Sequence, residues 1–411
     1  ADRISTSQQS TVVMRVVDGW YEVEEDGYQG SMPVLHYQGR TEHGDYRHVA
    51  VDGYRPYFFI AQADADESLL DNVAHDRRVL DVSMAERTGI DRGERNIDLI
   101  KITVECPWHV RDLRDEFPRT WEADVLFPQR FLVDRGVTGL MRVPTDVDGP
   151  LDATDVEAVD VDTETTDIDP RVVTWDIEVA TREALEQAFT DGLVDADPDA
   201  FDVAAMPNVN VARRPVTAVS MHDSATDVYA TFVLRNSTWN DELVDSDALQ
   251  TDVRSETETD VDVRVFADER RLLSEVVRWM LRHRPNVITG WNNDGFDAPY
   301  MINRYHTLDI AAQLARLSPT GRVDEHDDGG RFINSDITGV HIFDLLAAYE
   351  KSQYTELKSS SLEAVSAEET DFEKFGVDEQ TAWVTDPVRF TKYVTRDVQA
   401  TVAINENVNL L

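Results

Sequence analysis

The chain has 411 residues, of which 80 are Asp or Glu and 39 are Lys or Arg, so its formal net charge at pH 7 is −41. This length predicts two to three domains, and a hydrophobic content of 41% assigns the acidity to a folded surface instead of a disordered tail. No apolar run reaches about 18 residues, which excludes a transmembrane helix. A single cysteine, Cys106, excludes a disulfide framework and a zinc finger. The first ten residues do not resemble a signal peptide, so we expect a cytoplasmic protein with no membrane partner.

The basic residues are mostly arginine. Lysine occurs at five positions, four of them within residues 351–392. A folded, Asp-rich chain that avoids lysine resembles the proteins of halophilic archaea, which keep molar salt in the cytoplasm. At about 1 M salt the Debye length is about 3 Å, so surface charges repel one another weakly. Most of the acids are therefore interpreted as solvated surface, and a functional role for a carboxylate must rest on its spacing and context.

Residues 1–145 are predicted to form a mostly β domain. Alternating or apolar runs between Gly and Asp turns predict strands at 12–24, 33–41, 48–53 and 54–63. A helix is predicted at 66–77, and residues 102–117 predict a strand followed by a helix. Residues 146–170 are interpreted as an acidic connector, because the stretch 145–170 contains ten acids and no base. The alternative for residues 156–162 is pairing as an edge strand.

From residue 171 onward the pattern predicts an α/β domain that extends to residue 411. Asp268 is the predicted N-cap of a helix that ends before Pro285. A helix is expected after Asp297, and Asp386 is expected to cap the last helix. Strands are predicted at 171–179, 215–221, 228–234, 286–291 and 340–346, with a Gly- and Asp-rich loop at 318–339. The apolar stripe of the first helix comprises Leu272, Leu273, Val276, Val277, Met280 and Leu281.

The strand predicted at 171–179 contains two acids, Asp176 and Glu178, within the apolar run VVTWDIEVA. Residues i and i+2 of a strand share one face, and two adjacent carboxylates repel one another unless a cation lies between them. Such oxygen ligands suit hard divalent cations like Mg²⁺ or Mn²⁺. In a chain this rich in Asp, the pair alone still favours solvated acids over a metal site.

Two further clusters follow along the chain. In WNNDGFDAP a strand runs into Asn292 and Phe296, and Asp297 comes next; the alternative to a functional site is a strand-to-helix turn with Asp297 as its N-cap. In TKYVTRDVQ, Tyr393 and Asp397 are four residues apart and share a helix face. The alternative there is a surface pair or a partly buried hydroxyl with a partner.

Taken together, Asp-x-Glu on a strand, Asn-x-x-x-Phe-Asp after a strand and Tyr-x-x-x-Asp on a late helix resemble the three exonuclease motifs of family B DNA polymerases. GVHIFDLL and YTELKSSSLEAVSAE resemble the connecting strand and SLxxV segment of that family. GRTEHGDYRHVAVDGYRPYFFIA and TWEADVLFPQRFLVDRGVTGLMRV resemble its N-terminal region. The resemblance implies an α/β fold, α+β overall, in which a mostly β N-terminal domain precedes an RNase H-like 3′–5′ exonuclease domain with a mixed sheet flanked by helices.

The resemblance also implies roles for individual residues. Asp176, Glu178, Asp297 and Asp397 would hold two divalent ions, Mg²⁺ or Mn²⁺, for hydrolysis of 3′-terminal nucleotides. Tyr393 would orient the attacking water and completes the set of five expected catalytic residues.

Five further residues are implied in DNA binding. Asn292 and Phe296 would contact the terminal nucleotides, and Lys358, Ser361 and Leu362 would contact the phosphates or the frayed single strand. The alternatives are core packing for Leu362 and chance surface placement for Lys358.

The sequence departs from the family pattern in two places. Val179 follows the first-motif Glu where the family has Thr or Cys, at a position that binds no metal. The chain also ends at NENVNLL, where the polymerase domain of the family would begin. We therefore expect the N-terminal portion of a replicative polymerase, with its polymerase domain in cis or as a split subunit and a sliding clamp contacted through other regions.

Two other interpretations stay open: a stand-alone or split-gene nuclease acting in repair or on RNA, and a catalytically silent DNA-binding module. Archaeal relatives read template uracil with the N-terminal domain, but no motif locates those residues here.

Overall fold

Alternating apolar runs at the start of the chain form strands that pair mostly antiparallel, and the later half alternates strands with helices. The computed structural model describes residues 10–26, 30–160, 168–190, 206–236, 246–257, 259–324, 336–353, 358–370 and 381–411. The chain divides into two units, Ala1–Asp169 and Pro170–Leu411. Residues 161–167 of the predicted connector and 325–335 of the predicted loop lie outside the described residues.

The first unit contains two sheets, with strand orders β10-β8-β1-β2-β3-β9 and β5-β6-β4-β7. Its described strands are β1 (Thr11–Asp26), β2 (Gly30–Thr41), β3 (Tyr46–Asp52), β4 (Tyr57–Ala61), β5 (Val79–Asp91), β6 (Glu94–Val104), β7 (Thr120–Trp121), β8 (Leu140–Pro144), β9 (Leu151–Asp152) and β10 (Glu157–Val159). Its described helices are α1 (Glu67–Ala74), α2 (Pro107–Arg114) and α3 (Phe127–Arg135).

Each sheet of the first unit packs its own hydrophobic core. Tyr37 and Phe131 are buried in the core of the first sheet, and Phe58 and Ile102 in that of the second. Strand β10 pairs antiparallel with β8, so the acidic stretch contributes an edge strand to the first sheet.

The second unit is built on a six-stranded sheet of order β14-β13-β12-β11-β15-β18. Its strands are β11 (Val172–Val179), β12 (Val216–Asp223), β13 (Val228–Leu234), β14 (Val261–Phe266), β15 (Val287–Gly290) and β18 (His341–Asp344), and β16 (Val323–Asp324) pairs with β17 (Asp336–Ile337). Its described helices are α4 (Arg182–Thr190), α5 (Ser246–Thr257), α6 (Glu269–His283), α7 (Asp297–Thr307), α8 (Ala311–Leu314), α9 (Leu345–Ser352), α10 (Leu362–Glu369), α11 (Ala382–Thr385) and α12 (Pro387–Val408).

The sheet of the second unit is mixed. Strand β12 pairs antiparallel with β11 and β13, whereas β13–β14, β11–β15 and β15–β18 are parallel. Every residue of β12 is buried, because helices pack against the sheet. Strand β11 therefore lies near the middle of a covered sheet, where an exposed acid would be out of place. None of the helices in the described part of the chain is long and apolar enough to cross a membrane.

The strongest predictions of elements are confirmed. Asp268 caps α6, whose stripe is buried except for the partly buried Leu281, and Asp386 caps α12 through the N–H of Arg389. Strand β5 and the acid-rich helices α4 and α5 were not predicted. Among the α5 residues whose burial is described, Leu249 and Val253 are the ones buried in a hydrophobic cluster, which is a weak periodic signal.

Candidate active site

Strand β11 presents Asp176 and Glu178 on one face, while Ile177 between them is buried in the core. Its register with β12 shifts between Glu178 and Val179. A shift of this kind bends a strand and re-aims its side chains, and it is frequent beside functional sites. Parallel pairing with β15 runs from Val172 to Thr174, so the edge of β11 beside Ile177 lies past the end of that ladder.

Asp297 lies against this edge. It is the first residue of α7 and is only 3% exposed, and Phe296 occupies the N-cap position without a side-chain cap bond. The carboxylate of Asp297 accepts a hydrogen bond of 3.1 Å from the N–H of Ile177. The alternative prediction of Asp297 as a helix N-cap is therefore wrong, because its side chain reaches across to the strand between Asp176 and Glu178.

Helix α12 brings the last acid to the same place. Carboxylate oxygens of Asp176, Glu178 and Asp397 lie within 4.8 Å of one another. Tyr393 lies one turn before Asp397 on the same helix and is partly buried against the core of the unit. The three sequence clusters thus converge on one site.

A set of buried hydroxyls fixes α12 to the sheet. The Oγ1 atoms of Thr395 and Thr231 are 2.8 Å apart, and Thr231 in turn lies 2.9 Å from the hydroxyl of Ser220. Ser220 is the cross-strand partner of Asp176. Because each hydroxyl both donates and accepts, the chain of bonds holds the helix at the position of Asp176.

The site is electrostatically strained without a cation. Burial raises the pKa of Asp176 above its usual range, and the negative charges of Asp297, Glu178 and Asp397 raise it further. Burial also raises the pKa of Asp297 to about 8, against the opposing effect of the hydrogen bond from Ile177. The Oδ2 atom of Asp176 is buried and has no hydrogen-bond partner among the described residues.

This donor set fits hard divalent cations. Carboxylate oxygens are the ligands that Mg²⁺ and Mn²⁺ prefer, and a cation here would satisfy the orphaned oxygen and remove the repulsion among the acids. Asp297 is buried and the other three acids are half-buried, so the cluster is not a solvated surface patch.

The loop before α7 holds Asn292 and Phe296 next to Asp297. Asn292 is exposed and has a left-handed backbone (φ +60°), and its carbonyl accepts the N–H of Phe296 at 3.0 Å. A Cβ on Gly295 would lie 2.3 Å from Oδ1 of Asn292, so a larger residue there would displace the Asn292 side chain. The half-buried ring of Phe296 stacks on Tyr300 with centroids 5.4 Å apart.

Asn293 was missed by the sequence analysis. It is fully buried; its Oδ1 accepts the indole N–H of Trp175 at 2.8 Å, and its Nδ2 donates to the carbonyl of Phe343 at 3.2 Å. Trp175 directly precedes Asp176, so Asn293 ties the loop to the acid-bearing strand. Asn293 lies in the polar stretch NNDG, where the sequence does not distinguish a buried amide from an exposed one.

Asp344 has a structural role. One of its carboxylate oxygens caps α9 by accepting the N–H of Ala347, and the other accepts the N–H of Asp294 at 2.9 Å. Its charge adds to the raised pKa of Asp297.

The other predicted DNA-binding residues lie near the start of α10. Ser361 is exposed and caps this helix through the N–H of Ala364, while Leu362 is half-buried and packs in a cluster with Trp291 and Tyr349. The indole of Trp291 donates to the carbonyl of Ser360 at 3.0 Å, which links this segment to the loop before α7. Lys358 is exposed, and residues 354–357 before it lie outside the described residues.

The first unit contains a separate cavity of about 450 Å³. Its lining combines aromatic rings with guanidinium groups and includes Tyr21, Trp108, Arg111, Phe127 and Arg130. No motif pointed to this cavity.

The comparison with protein families decides the assignment. Residues 119–365 match the model of the DNA polymerase family B exonuclease domain. The chain belongs to DNA polymerase family B. The matched range contains the first two acid clusters and the segment around Ser361.

Individual family B polymerases agree with this assignment. The chain is 32% identical over 216 residues to the DNA-directed DNA polymerase of Enterobacteria phage T4, covering 49% of this chain and 24% of the relative. It is 29% identical over 220 residues to the corresponding enzyme of Escherichia phage RB69, covering 51% and 22%. The chain thus spans about a quarter of the length of these relatives.

A solved structure shows the same fold. The family B DNA polymerase of the hyperthermophilic archaeon Pyrobaculum calidifontis aligns with a TM-score of 0.68 at 19% identity, covering 97% of this chain and 46% of that one. The mixed α/β architecture expected from the sequence is confirmed.

Proposed function

We propose that the second unit hydrolyses 3′-terminal nucleotides from single-stranded or frayed DNA. The observation that carries this proposal is that carboxylate oxygens of Asp176, Glu178 and Asp397 lie within 4.8 Å of one another. Asp297 joins them, because its carboxylate accepts the N–H of Ile177, the residue between the two acids of β11. Membership of the family B exonuclease domain supports it. The close grouping of these acids, of which Asp297 is buried and the other three are half-buried, argues against a catalytically silent DNA-binding module, since their mutual repulsion serves no structural purpose.

In this proposal Asp176, Glu178, Asp297 and Asp397 hold two divalent ions, Mg²⁺ or Mn²⁺. Such ions supply Lewis-acid stabilisation of phosphoryl oxygens and lower the pKa of water. The role of Asp297 is to keep its carboxylate beside β11 through Ile177. The hydroxyl of Tyr393 orients the attacking water, a task that needs position and not basicity.

The DNA end would be received by the loop before α7. Phe296 offers a ring for stacking or wedging against a terminal base, and the exposed amide of Asn292 offers hydrogen bonds. Lys358, Ser361 and Leu362 would follow the single strand. The net charge of −41 and the scarcity of lysine support adaptation to molar salt, where phosphate contacts contribute less affinity than stacking and metal binding.

We assign residues 1–145 to an N-terminal domain, 146–170 to a connector and 171–411 to the exonuclease domain. The division of the chain after Asp169 supports an exonuclease domain that starts near residue 171. The pairing of β10 with β8 favours placing part of the connector with the N-terminal domain. The polymerase relatives support a polymerase domain as the partner, in cis or as a separate subunit, and a sliding clamp acting through that domain.

Hydrolysis is tested on 5′-labelled single-stranded DNA in molar KCl with Mg²⁺ or Mn²⁺. We expect a ladder of shortened products that disappears in the double variant Asp176→Ala, Glu178→Ala. Asp252→Asn, an exposed acid on α5, is the matched control and should cut at the wild-type rate. Undiminished hydrolysis by the double variant would refute the assignment of the site. A preference for RNA over DNA would favour the alternative of a stand-alone or split-gene nuclease.

We also propose that these 411 residues shorten primers without extending them. The four acids named above are committed to hydrolysis, and no second set in a polymerase-like context is seen in the sequence. A primer–template incubated with all four nucleotides in high KCl should yield shortened bands. Bands longer than the primer, from protein free of contaminating polymerase, would overturn this.

A second candidate function concerns the first unit. We propose that its cavity takes up an unpaired template base such as uracil, because aromatic faces and guanidinium donors suit a flat base with carbonyl oxygens. Uracil-containing single strands should bind more tightly than thymine-containing ones. Trp108→Ala should erase that preference, whereas Val133→Ala, exposed at 66% outside the cavity lining, should not. An equal preference in both variants would exclude this cavity.

A further inference from the structure

A second cluster of potential metal ligands lies in the first unit, at the start of α2. A carboxylate oxygen of Glu105, the sulfur of Cys106 and a ring nitrogen of His109 lie within 4.8 Å of one another. The acid cluster of the exonuclease site belongs to the second unit, so the two groups are separate in the chain and differ in chemistry.

The backbone holds this cluster in place. The N–H of Glu105 donates to the carbonyl of Arg78 at 3.0 Å, and the carbonyl of Glu105 accepts from Nη1 of Arg55 at 3.3 Å. The N–H of His109 donates to the carbonyl of Cys106 at 3.0 Å. The Cα positions of the three candidate ligands are therefore fixed, and only their side chains need to rotate.

Cys106 is fully buried at the start of α2, and the Nδ1 atom of His109 is buried as well. Cys106 occupies the N-cap position of α2, where Ser, Thr, Asp or Asn is preferred, and it makes no side-chain cap bond. The Nδ1 atom of His109 is buried without a hydrogen-bond partner among the described residues. Buried polar atoms are nearly always paired, so this nitrogen is an independent sign of a missing ligand.

We propose that Glu105, Cys106 and His109 bind one thiophilic divalent cation of the zinc class. Thiolate and imidazole select Zn²⁺ over Mg²⁺ or Mn²⁺, which separates this site chemically from the carboxylate cluster. With Zn–S and Zn–N bonds of about 2.3 and 2.0–2.1 Å, tetrahedral ligands lie about 3.6 Å apart, so the present spacing closes by side-chain rotation. Water completes the fourth position.

The charge balance also favours the ion. One thiolate and one carboxylate neutralise the two positive charges of the cation, and neutral His109 adds none. Binding releases the thiol proton, so affinity falls as the pH is lowered.

The site has a structural consequence for the cavity of the first unit. Trp108 and Arg111 on α2 line that cavity, and Trp108 stands in the first turn between the proposed ligands Cys106 and His109. An ion that fixes this turn fixes the position of one cavity wall.

The proposal is tested with Co²⁺ as the probe, on protein carrying Asp176→Ala and Glu178→Ala so that the carboxylate cluster does not contribute. We expect a thiolate-to-cobalt charge-transfer band that saturates at one ion per chain and is displaced by Zn²⁺ but not by excess Mg²⁺. Cys106→Ser should abolish the band, and His109→Gln and Glu105→Gln should each weaken Co²⁺ binding about tenfold or more. His75→Gln, on an exposed histidine at the end of α1, is the control and should bind as the parent does.

Circular dichroism of each variant establishes that it is folded. If Cys106→Ser does not fold, the Gln variants and the parent protein decide the matter. Absence of the band in the folded parent protein, or unchanged cobalt affinity in both Gln variants, overturns the proposal. The readout is metal binding in protein that lacks the two strand acids. A negative result therefore leaves the proposed exonuclease activity unaffected, and a failure to detect hydrolysis would not count against the proposed cation site.

Discussion

Replacing Asp297 by Asn should abolish hydrolysis and yet stabilise the metal-free protein. The amide oxygen of Asn still accepts the N–H of Ile177, which Asp297 binds at 3.1 Å, so the local geometry survives. The substitution removes a buried carboxylate whose pKa is raised to about 8. The substitution thereby removes the loss of folding stability that a buried negative charge causes in the wild type when no cation is bound.

The magnitude follows from proton linkage. An acid whose pKa is higher in the folded state takes up a proton on folding between its unfolded and folded pKa values. Wild-type stability therefore falls as the pH rises from about 4 to about 8, by at most about 1.4 kcal/mol per pH unit from this group. The upper limit at pH 7 is about 4 kcal/mol, and sharing of protons with Asp176 reduces it. Asn does not titrate, so its advantage grows with pH over this window.

Urea unfolding in EDTA at pH 5 and pH 8, at constant KCl, measures this difference. We expect Asp297→Asn to exceed the wild type by more at pH 8 than at pH 5, and Asp252→Asn to show no such trend. Saturating Mn²⁺ should reverse the order, because the wild type alone keeps its full ligand set. A variant less stable than the wild type in EDTA at pH 8, or an advantage independent of pH, would refute the reasoning.

Three further predictions concern single residues. Tyr393→Phe should slow hydrolysis about 100-fold at unchanged metal affinity, because a misplaced water reacts poorly. Asp397→Ala should instead weaken metal binding itself. An equal loss of metal affinity in calorimetric titrations of the two variants would contradict this. Asn293→Leu should cost about 1–3 kcal/mol in urea unfolding by leaving the indole N–H of Trp175 unpaired, and an unchanged midpoint would show that this bond is dispensable. Burial lowers the pKa of His48 to about 4. Stability should therefore fall as the pH drops from about 6.5 towards 4, by at most about 3 kcal/mol, and an NMR titration midpoint near 6.5 would contradict the lowered pKa.

The sequence predicted the elements that carry the candidate site because periodicity and caps are local signals. Asp386 before Pro387 and the stripe after Asp268 need no knowledge of the rest of the chain. The family resemblance brought distant acids into one expected site, and the convergence of Asp176, Glu178 and Asp397 agrees with it.

What could not be predicted depends on contacts between distant residues. The bond from Asp297 to Ile177 exists because β15 stops short of that residue, and no sequence pattern records where a neighbouring strand ends. The pairing of Asn293 with Trp175 and the cluster at Glu105, Cys106 and His109 are likewise tertiary. In the last case, the single cysteine was set aside because a sequence with one cysteine cannot form a conventional zinc finger.

The position of α12 has a consequence for when the site can form. The four acids of the site are residues 176, 178, 297 and 397. Two chain segments of roughly a hundred residues each must therefore fold into loops before the carboxylates meet. Contacts so distant in sequence form slowly, and the docking of α12 onto Thr231 is the step that delivers Asp397. A ribosome-bound chain that has not yet released Asp397 therefore lacks one of the four acids, and nuclease activity should arise only after synthesis of the second unit is nearly complete.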